Sequence, residues 1–355
     1  MKILIDLGHP AHIHYFKNLI KIMSGKGHEF SIVARDKEVL HKLMDNLTLP
    51  FTSRGKGRKT LLGKLLYLFY ADYVIYKEAK KFKPDIFLSF SSTYAAHVSR
   101  VVGRPHIVLD DTEHAKFELM MYPPFSDVIL NPKPFWKHFS PKQIFFDGYM
   151  ELCHLHPNYF TPDPSIIQSY GIEPGERFFI VRFVSWNASH DIGQSGLSID
   201  IKRSIISQLE GHGRVLISSE GPLPEDLEKF RIKINPAHLH HFLFYASLYI
   251  GEGATTASEC VILGTPAIYV NSLDAGTISE QSEKYGLISL RDAKGINDII
   301  KNVLSNNQKD KSLKYRKSLL EEKIDVTAFL VWFVETYPES ETILRKNPDY
   351  QYNFK

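Results

Sequence analysis

The stretch GEGATTASECVILGTPAIYV, from Gly251 to Val270, sets a run of small and hydroxyl residues between two apolar strands. Ala254, Thr255, Thr256, Ala257 and Ser258 open a predicted helix at a strand's exit, and Gly264-Thr265-Pro266 closes it. Such a helix start turns unpaired backbone N–H groups and the positive end of the dipole outward, which suits an anion and most often a phosphate. The expected contacts there are Gly253, Ala254, Thr255 and Thr256.

Five other clusters could do chemistry. GHPAHIH places Gly8, His9, His12 and His14 in the turn after the first strand. Imidazoles titrate near neutrality and suit general-base work; three in one loop could instead meet a cation, but no carboxylate at a zinc-like spacing accompanies them, so no metal is assigned. PHIVLDDTEH places Asp110, Asp111 and Glu113 at another strand exit. There a carboxylate could take a proton from a hydroxyl or from carbon, or simply cap a helix. SFSSTYAAH offers Ser91, Ser92 and Thr93, and RFVSWNASHD offers Ser185, Trp186 and Asn187, with His190 and Asp191 beyond. These are donors for phosphate or sugar oxygens, or loop residues that bond one another. SSEGPLP adds Ser218, Ser219, Glu220 and Gly221, for which turn chemistry alone could account.

The elements that must position these residues alternate. KILIDLG, EFSIVAR, DIFLSF, PHIVLDD and SDVILNP read as buried strands separated by helical patterns, the signature of parallel α/β layers. HLHPNYFTPDPS breaks the pattern and reads as a linker, after which RFFIVRFVS, RVLISSEG, HHFLFYASLYIG and PAIYVNS mark a second parallel sheet. AFLVWFVETY, near the carboxyl terminus, is apolar enough to need a packing partner. With 355 residues, two domains are expected. Lys plus Arg number 43 against 40 Asp plus Glu, a net charge of +3 that gives no argument for nucleic acid. Cys153 and Cys260 stand beside apolar residues and fit reduced thiols better than a disulfide framework. The amino terminus lacks the pattern of a signal peptide, and no apolar run reaches transmembrane length, so a cytoplasmic protein is expected.

FYASLYIGEGATTASECVILGTPAIYV, FFIVRFVSWNASHD, RVLISSEGPLPE and GHPAHIHYFKNLI resemble the GT-B nucleotide-sugar enzymes, above all the peptidoglycan N-acetylglucosaminyltransferase and the non-hydrolysing UDP-N-acetylglucosamine 2-epimerase. KFKPDIFLSF, FTPDPS, RFVSWNASHD and LGTPAIYVNS resemble a bacterial and archaeal GT-B-like family of unknown function. The resemblance implies an α/β GT-B fold of two doubly wound Rossmann-like domains facing an interdomain cleft. The expected parts are an acceptor-side domain over 1–155, a nucleotide-sugar-binding domain over 165–315, and a helical segment over 316–355 packing back towards the first domain. In the transferases a glutamate in the first helical turn accepts from the ribose hydroxyls, and Glu259 matches it. Glu252 departs from the small residue expected beside a phosphate, and His12 aligns with the histidine of the transferases' glycine loop.

The resemblance thus implies transfer of a sugar from a nucleotide donor, with a UDP-sugar expected, to a glycan or lipid-linked hydroxyl acceptor in surface-glycan assembly. Gly8, Ser185, Asn187, Ser219, Glu220 and the 253–256 turn would hold the donor, and His12, Asp110, Asp111 or Glu113 would be the base. An epimerase, or a binder without turnover, would use the same residues. No cofactor is expected, and the absence of an Asp-x-Asp element points to metal-independent chemistry. GKGRKTLLGKL misses the phosphate-loop spacing. RGKGRKTLLGKLLYLFYADYVIYKEAKKFK mixes basic and apolar residues at helical spacing, which fits either a peripheral contact with the inner face of an anionic membrane or a core helix with a solvated basic face.

Overall fold

The continuous apolar runs become strands buried on both faces. A computed structural model of the chain describes residues 1–36, 40, 43–45, 47–58, 60–183, 197–219, 221–306 and 308–355. Among the candidates, Ser185, Trp186, Asn187, His190, Asp191 and Glu220 lie outside the described residues. The chain divides into two units, one formed by Met1–His154 with Lys323–Lys355 and the other by Leu155–Glu322.

In the first unit the strands are β1 (Lys2–Leu7), β2 (Glu29–Ala34), β3 (Thr52–Ser53), β4 (Ile86–Phe90), β5 (His106–Leu109), β6 (Val128–Pro132) and β7 (Gln143–Phe146). They form one sheet in the order β3-β2-β1-β4-β5-β6-β7, every ladder parallel, with Ile5 registered against Ile32 and Leu88. Strand order therefore reverses between β1 and β4, where diverging connections leave a crevice outside the carboxyl ends of the strands. Helix α1 (Pro10–Gly25) starts on Pro10, with His9 as its cap: the His9 Nδ1 accepts from the Ala11 N–H at 3.3 Å. Helix α2 (Leu61–Phe82) is capped by Thr60. Helix α3 (Thr93–Val102) is capped by Ser92, whose Oγ accepts from the Ala95 N–H at 3.1 Å, and it stops at Gly103 with φ 67°.

The second unit contains β8 (Phe178–Phe183), β9 (Arg214–Ser219), β10 (Leu248–Gly251), β11 (Ala267–Val270) and β12 (Ile288–Leu290), parallel in the order β12-β11-β10-β8-β9. Its order reverses between β8 and β10. Helices α4 (Ile199–Glu210), α5 (Leu239–Tyr245), α6 (Ala254–Leu263) and α7 (Gly276–Lys284) connect them. Val181, Ile217, Ile250 and Ile268 pack with Ile205, Leu209, Ile296 and Ile300 in one dry core. A Cβ on Gly251 would collide with the Tyr249 hydroxyl and come within 3.1 Å of the Arg182 carbonyl oxygen, so the end of β10 admits only glycine without rearrangement.

The chain then returns to the first unit. Helix α8 (Val326–Glu335) buries Phe329, Leu330, Phe333 and Val334 and packs on α1. Thr327 Oγ1 and Asn18 Nδ2 both donate to the Cys153 carbonyl at 2.8 Å. Lys323 Nζ meets Asp147 Oδ1 at 2.7 Å and Tyr352 donates to Oδ2 at 2.8 Å, which holds that carboxyl below its ordinary range against the opposing effect of burial.

Candidate functional site

In the second unit, α6 begins at Gly253 beside the reversal of strand order, and among the described residues no side chain caps it. Its first-turn N–H groups therefore point outward as donors, at the end of a ten-residue helix. Gly253, Ala254 and Thr255 reach the surface, whereas Thr256 is buried. Glu252 takes its charge elsewhere: its Oε1 accepts from the Leu197 N–H at 2.6 Å, and its carbonyl accepts from Asn271 Nδ2 at 2.9 Å. The carboxylate keeps its charge but is directed to the Leu197 N–H.

Glu259 stands in the second turn of α6 rather than the first, 5% exposed, with its Oε1 3.0 Å from Nε2 of the equally buried His240 on α5. The imidazole fixes the carboxylate in place. The histidines at 238, 240 and 241 carry no obvious chemistry in the sequence; the second of them, His240, is what positions Glu259.

Ser219 closes its own turn, its Oγ accepting from the Gly221 N–H at 3.3 Å and donating to the Gly221 carbonyl at 3.1 Å. Arg182 Nη1 donates to Ser218 Oγ at 3.3 Å. A hollow of about 230 Å³ at the carboxyl ends of β11 and β12 is lined by Asn271, Asp274, Ser279 and Arg291. Asn271 links it to the Glu252 carbonyl. A hollow of about 420 Å³ runs along edge strand β9 past Arg214, Phe230 and Lys233 and contains none of the candidates. Its position at the sheet's edge, away from the uncapped helix, makes it the weaker place for chemistry.

In the first unit the loop after β5 gathers Asp110, Asp111 and Glu113. Asp110 is fully buried and both its oxygens work: Oδ1 accepts from the Thr112 N–H at 2.8 Å and Oδ2 from the Tyr122 hydroxyl at 2.7 Å. Burial pushes its pKa up to about 6, and the two donors restrain the rise. Asp111 is only partly covered, and Thr112 Oγ1 donates to it at 3.2 Å. Burial and then the charges of Asp110 and Glu113 raise it to about 7. Glu113 is 2% exposed. Asp110 is therefore the strut of the loop, and Asp111 is the carboxylate poised to change protonation near neutrality.

Gly8 and His12 meet across the start of α1. The Gly8 N–H donates to His12 Nδ1 at 3.3 Å, so the neutral imidazole carries its proton on Nε2. In that form Nε2 donates and does not accept a proton. The His12 ring lies 4.6 Å from Phe90 and 6.2 Å from Tyr15. Ser91, after β4, has φ 50° and donates its N–H to the Leu109 carbonyl at 3.0 Å, while Ser92 donates to Asp6. Beside them lies a buried group that the sequence does not single out: Arg54 bonded to Asp6 and Tyr67. Its only signal is a basic residue in a basic insert.

A family model described as "Protein of unknown function (DUF354)" matches residues 1–331. The chain belongs to this family. It is 26% identical over 283 residues to the uncharacterized protein MJ0665 of Methanocaldococcus jannaschii, covering 76% of this chain and 81% of that one. Among solved structures it is similar to a putative UDP-N-acetylglucosamine 2-epimerase from Listeria monocytogenes, with TM-score 0.66, 13% identity and coverage of 88% of this chain and 90% of that one. It is also similar to the spinosyn rhamnosyltransferase SpnG complexed with spinosyn aglycone, with TM-score 0.58, 15% identity and coverage of 95% and 99%. The two doubly wound units of this DUF354 chain are thus those of the GT-B fold shared by glycosyltransferases and UDP-N-acetylglucosamine 2-epimerases. No helix among the described residues is long and apolar enough to cross a membrane.

Proposed function

We propose that this DUF354 protein is a metal-independent glycosyltransferase that moves a sugar from a nucleotide-sugar, with UDP-sugars as the first candidates, to a hydroxyl acceptor in surface-glycan assembly. The observation that carries the reading is the uncapped start of α6 at the strand-order reversal of the second unit, followed by a carboxylate held by an imidazole. Gly253, Ala254 and Thr255 take the diphosphate, and the helix end neutralises its charge as it leaves. Glu259 accepts from the ribose hydroxyls. Asn187, Ser185 and Glu220 are assigned to the donor's sugar or phosphate by their sequence positions after β8 and β9, and Ser219 ends β9. In the first unit Asp111 takes the acceptor proton, Asp110 and Glu113 keep its pKa high, and His12 offers a hydrogen bond from Nε2 without giving up its proton.

An epimerase is the second reading. The Asp111 group could remove a carbon-bound proton as well as a hydroxyl proton, and the Listeria neighbour is a putative epimerase by name.

A lipid-linked acceptor is favoured by the outer face of α2. Leu62, Leu65, Leu66, Phe69, Tyr70 and Tyr73 recur at helical spacing and are each 51–68% exposed. Lys77, Lys80 and Lys81 continue the same outer surface, while the helix's acids turn inward, Asp72 to His97 and Glu78 to Ser31 and Thr52. An apolar stripe that ends in cations matches the cytoplasmic face of an anionic bilayer.

Thermal stabilisation by a panel of nucleotide-sugars identifies the donor. Product analysis then separates a new glycoside from an altered free donor, and saturable binding without either product would reject catalysis. Flotation with anionic and neutral vesicles tests the stripe; equal recovery of the parent and of a Leu66→Ser, Phe69→Ser variant would reject it.

A further inference from the structure

Arg54, directly after β3, is 2% exposed. Its Nε donates to Asp6 Oδ1 at 2.7 Å, its Nη1 donates to the Tyr67 hydroxyl at 2.6 Å, and its guanidinium carbon lies 4.6 Å from the centre of the Tyr94 ring. The other oxygen of Asp6 accepts from Ser92 Oγ at 2.5 Å. Asp6 is thus consumed in holding Arg54 rigid from β1, and α2 through Tyr67 and the start of α3 through Ser92 and Tyr94 complete the grip. Arg54 Nη2 makes no hydrogen bond among the described residues. It faces the turn after β1: a Cβ built on Gly8 would lie 3.6 Å from Nη2 and 3.6 Å from His12 Cε1.

A second cation stands at the same edge of the sheet. Arg35 directly follows β2 and its N–H donates to the Leu7 carbonyl at 2.9 Å, while the Arg54 N–H donates to the carbonyl of the neighbouring Ala34 at 2.9 Å. The Arg35 guanidinium packs on Gly57, and its buried Nε has no partner among the described residues.

A buried ion pair gains little over apolar packing, so stability alone does not explain a guanidinium held this rigidly, and the buried Arg35 Nε, with no partner among the described residues, costs free energy until something accepts from it. Among the described residues no acceptor meets Arg54 Nη2. The place lies outside the carboxyl ends of β1 and β4, in the crevice of an open α/β sheet, at the positive end of the sixteen-residue α1.

We infer that the carboxyl edge of β1–β4 is an oxyanion site that takes a phosphate group, with Arg54 Nη2 as its fixed donor, Arg35 as its second cation and the Gly8 backbone as the open floor that admits the ligand. The forked guanidinium matches a tetrahedral oxyanion, and its carbon lies over the Tyr94 ring at 4.6 Å. The site is built wholly within the first unit, so it stands whether or not α6 binds a nucleotide. The phosphate is either one borne by the acceptor or the nucleotide's own diphosphate.

Calorimetric titration of inorganic phosphate and of pyrophosphate into the full chain, with and without saturating UDP, tests the inference. Gly8→Ala is the decisive variant, because the Gly8 backbone lies outside the left-handed region and the new methyl makes only ordinary contacts; it keeps the fold and fills the floor. Arg35→Gln, at a partly exposed position, is the second. Each is expected to weaken phosphate binding by about tenfold or more, the worth of one charge-assisted contact, while Glu259→Gln leaves it unchanged. Binding that persists under UDP assigns the site to a phosphate other than the nucleotide's. Displacement by UDP, with both ligands weakened in Gly8→Ala, assigns it to the diphosphate. No phosphate binding by the parent, or binding untouched in both variants, overturns the site. A parent that binds phosphate but no nucleotide-sugar refutes the transferase reading and leaves this one standing.

Discussion

Asp111 offers the sharpest test of where proton chemistry resides, because its environment and its proposed work make separate predictions. Its pKa is raised from an ordinary 3.8 to about 7, first by burial, then by Asp110 and Glu113. A rise of about three units is about 4 kcal/mol against the charged form, and because part of the side chain reaches water the working figure is about 2–4 kcal/mol. Carbon-13 titration of aspartate-labelled protein, with Asp111→Asn to identify the resonance, should find a carboxyl titrating near neutrality. Glu113→Gln removes a like charge, so it should move that titration to lower pH, by up to about one unit.

Activity should follow the same proton. A base works only when deprotonated, so kcat/KM should climb through neutrality with the Asp111 titration, and the limb should shift in Glu113→Gln. Asp111→Asn should lower turnover by about 10²- to 10⁴-fold with donor affinity nearly intact. Stability moves in the opposite direction with pH. An acid whose folded pKa is raised leaves the folded state holding more protons between about 4 and 7, so its contribution is lost as pH rises through that window. The fall in Tm over those pH values should therefore be shallower in Asp111→Asn. A carboxyl at 111 titrating in the ordinary aspartate range would refute the reasoning, and a normal rate in Asp111→Asn would move the base elsewhere.

Three other outcomes are expected. Glu259→Gln should weaken nucleotide-sugar binding by roughly ten- to a hundredfold in calorimetry, the worth of a charge-assisted hydrogen bond; unchanged affinity for every binding nucleotide-sugar removes Glu259 from the site. Turnover should survive exhaustive chelation, and loss with EDTA that a divalent ion restores would reject the helix-end account of leaving-group stabilisation. Gly251→Ala should cost about 1–3 kcal/mol by chemical denaturation, since its methyl meets the buried Tyr249 hydroxyl; a smaller cost would mean that the ring has room to turn.

The alternation of strands and helices was legible because each buried strand announces itself: IFLSF and HIVL are apolar almost throughout and lie buried along their whole length. The start of α6 was legible for the same local reason, glycine and small residues at a strand exit. The side of α2 that packs was not. Tyr67, Ala71, Ile75 and Ala79 face inward, yet Leu62, Leu65, Leu66 and Phe69 on the opposite face are as apolar, so periodicity alone gives no preferred direction. Burial settles it, and the larger residues are the ones left outside.

Arg54 was hidden by a different limit. In RGKGRKTLLGKL it is one cation among several, and the ordinary expectation for such a run is a solvated face. What buries it is the two-residue strand β3, where Val33 pairs with Thr52 and Ala34 with Ser53; that short ladder carries Arg54 to a carboxylate 48 positions earlier in the chain. Nothing local encodes that meeting, because Asp6 reads as the polar break in an apolar strand and Tyr67 as one more aromatic in α2. The same holds for His240 and Glu259, which lie on successive helices and meet only once β10 has inserted beside β8. Motifs report where the backbone offers donors, but the side chains that decide charge at such places are delivered by pairing between distant strands. The residues most worth mutating here are therefore those whose partners lie farthest away in the sequence.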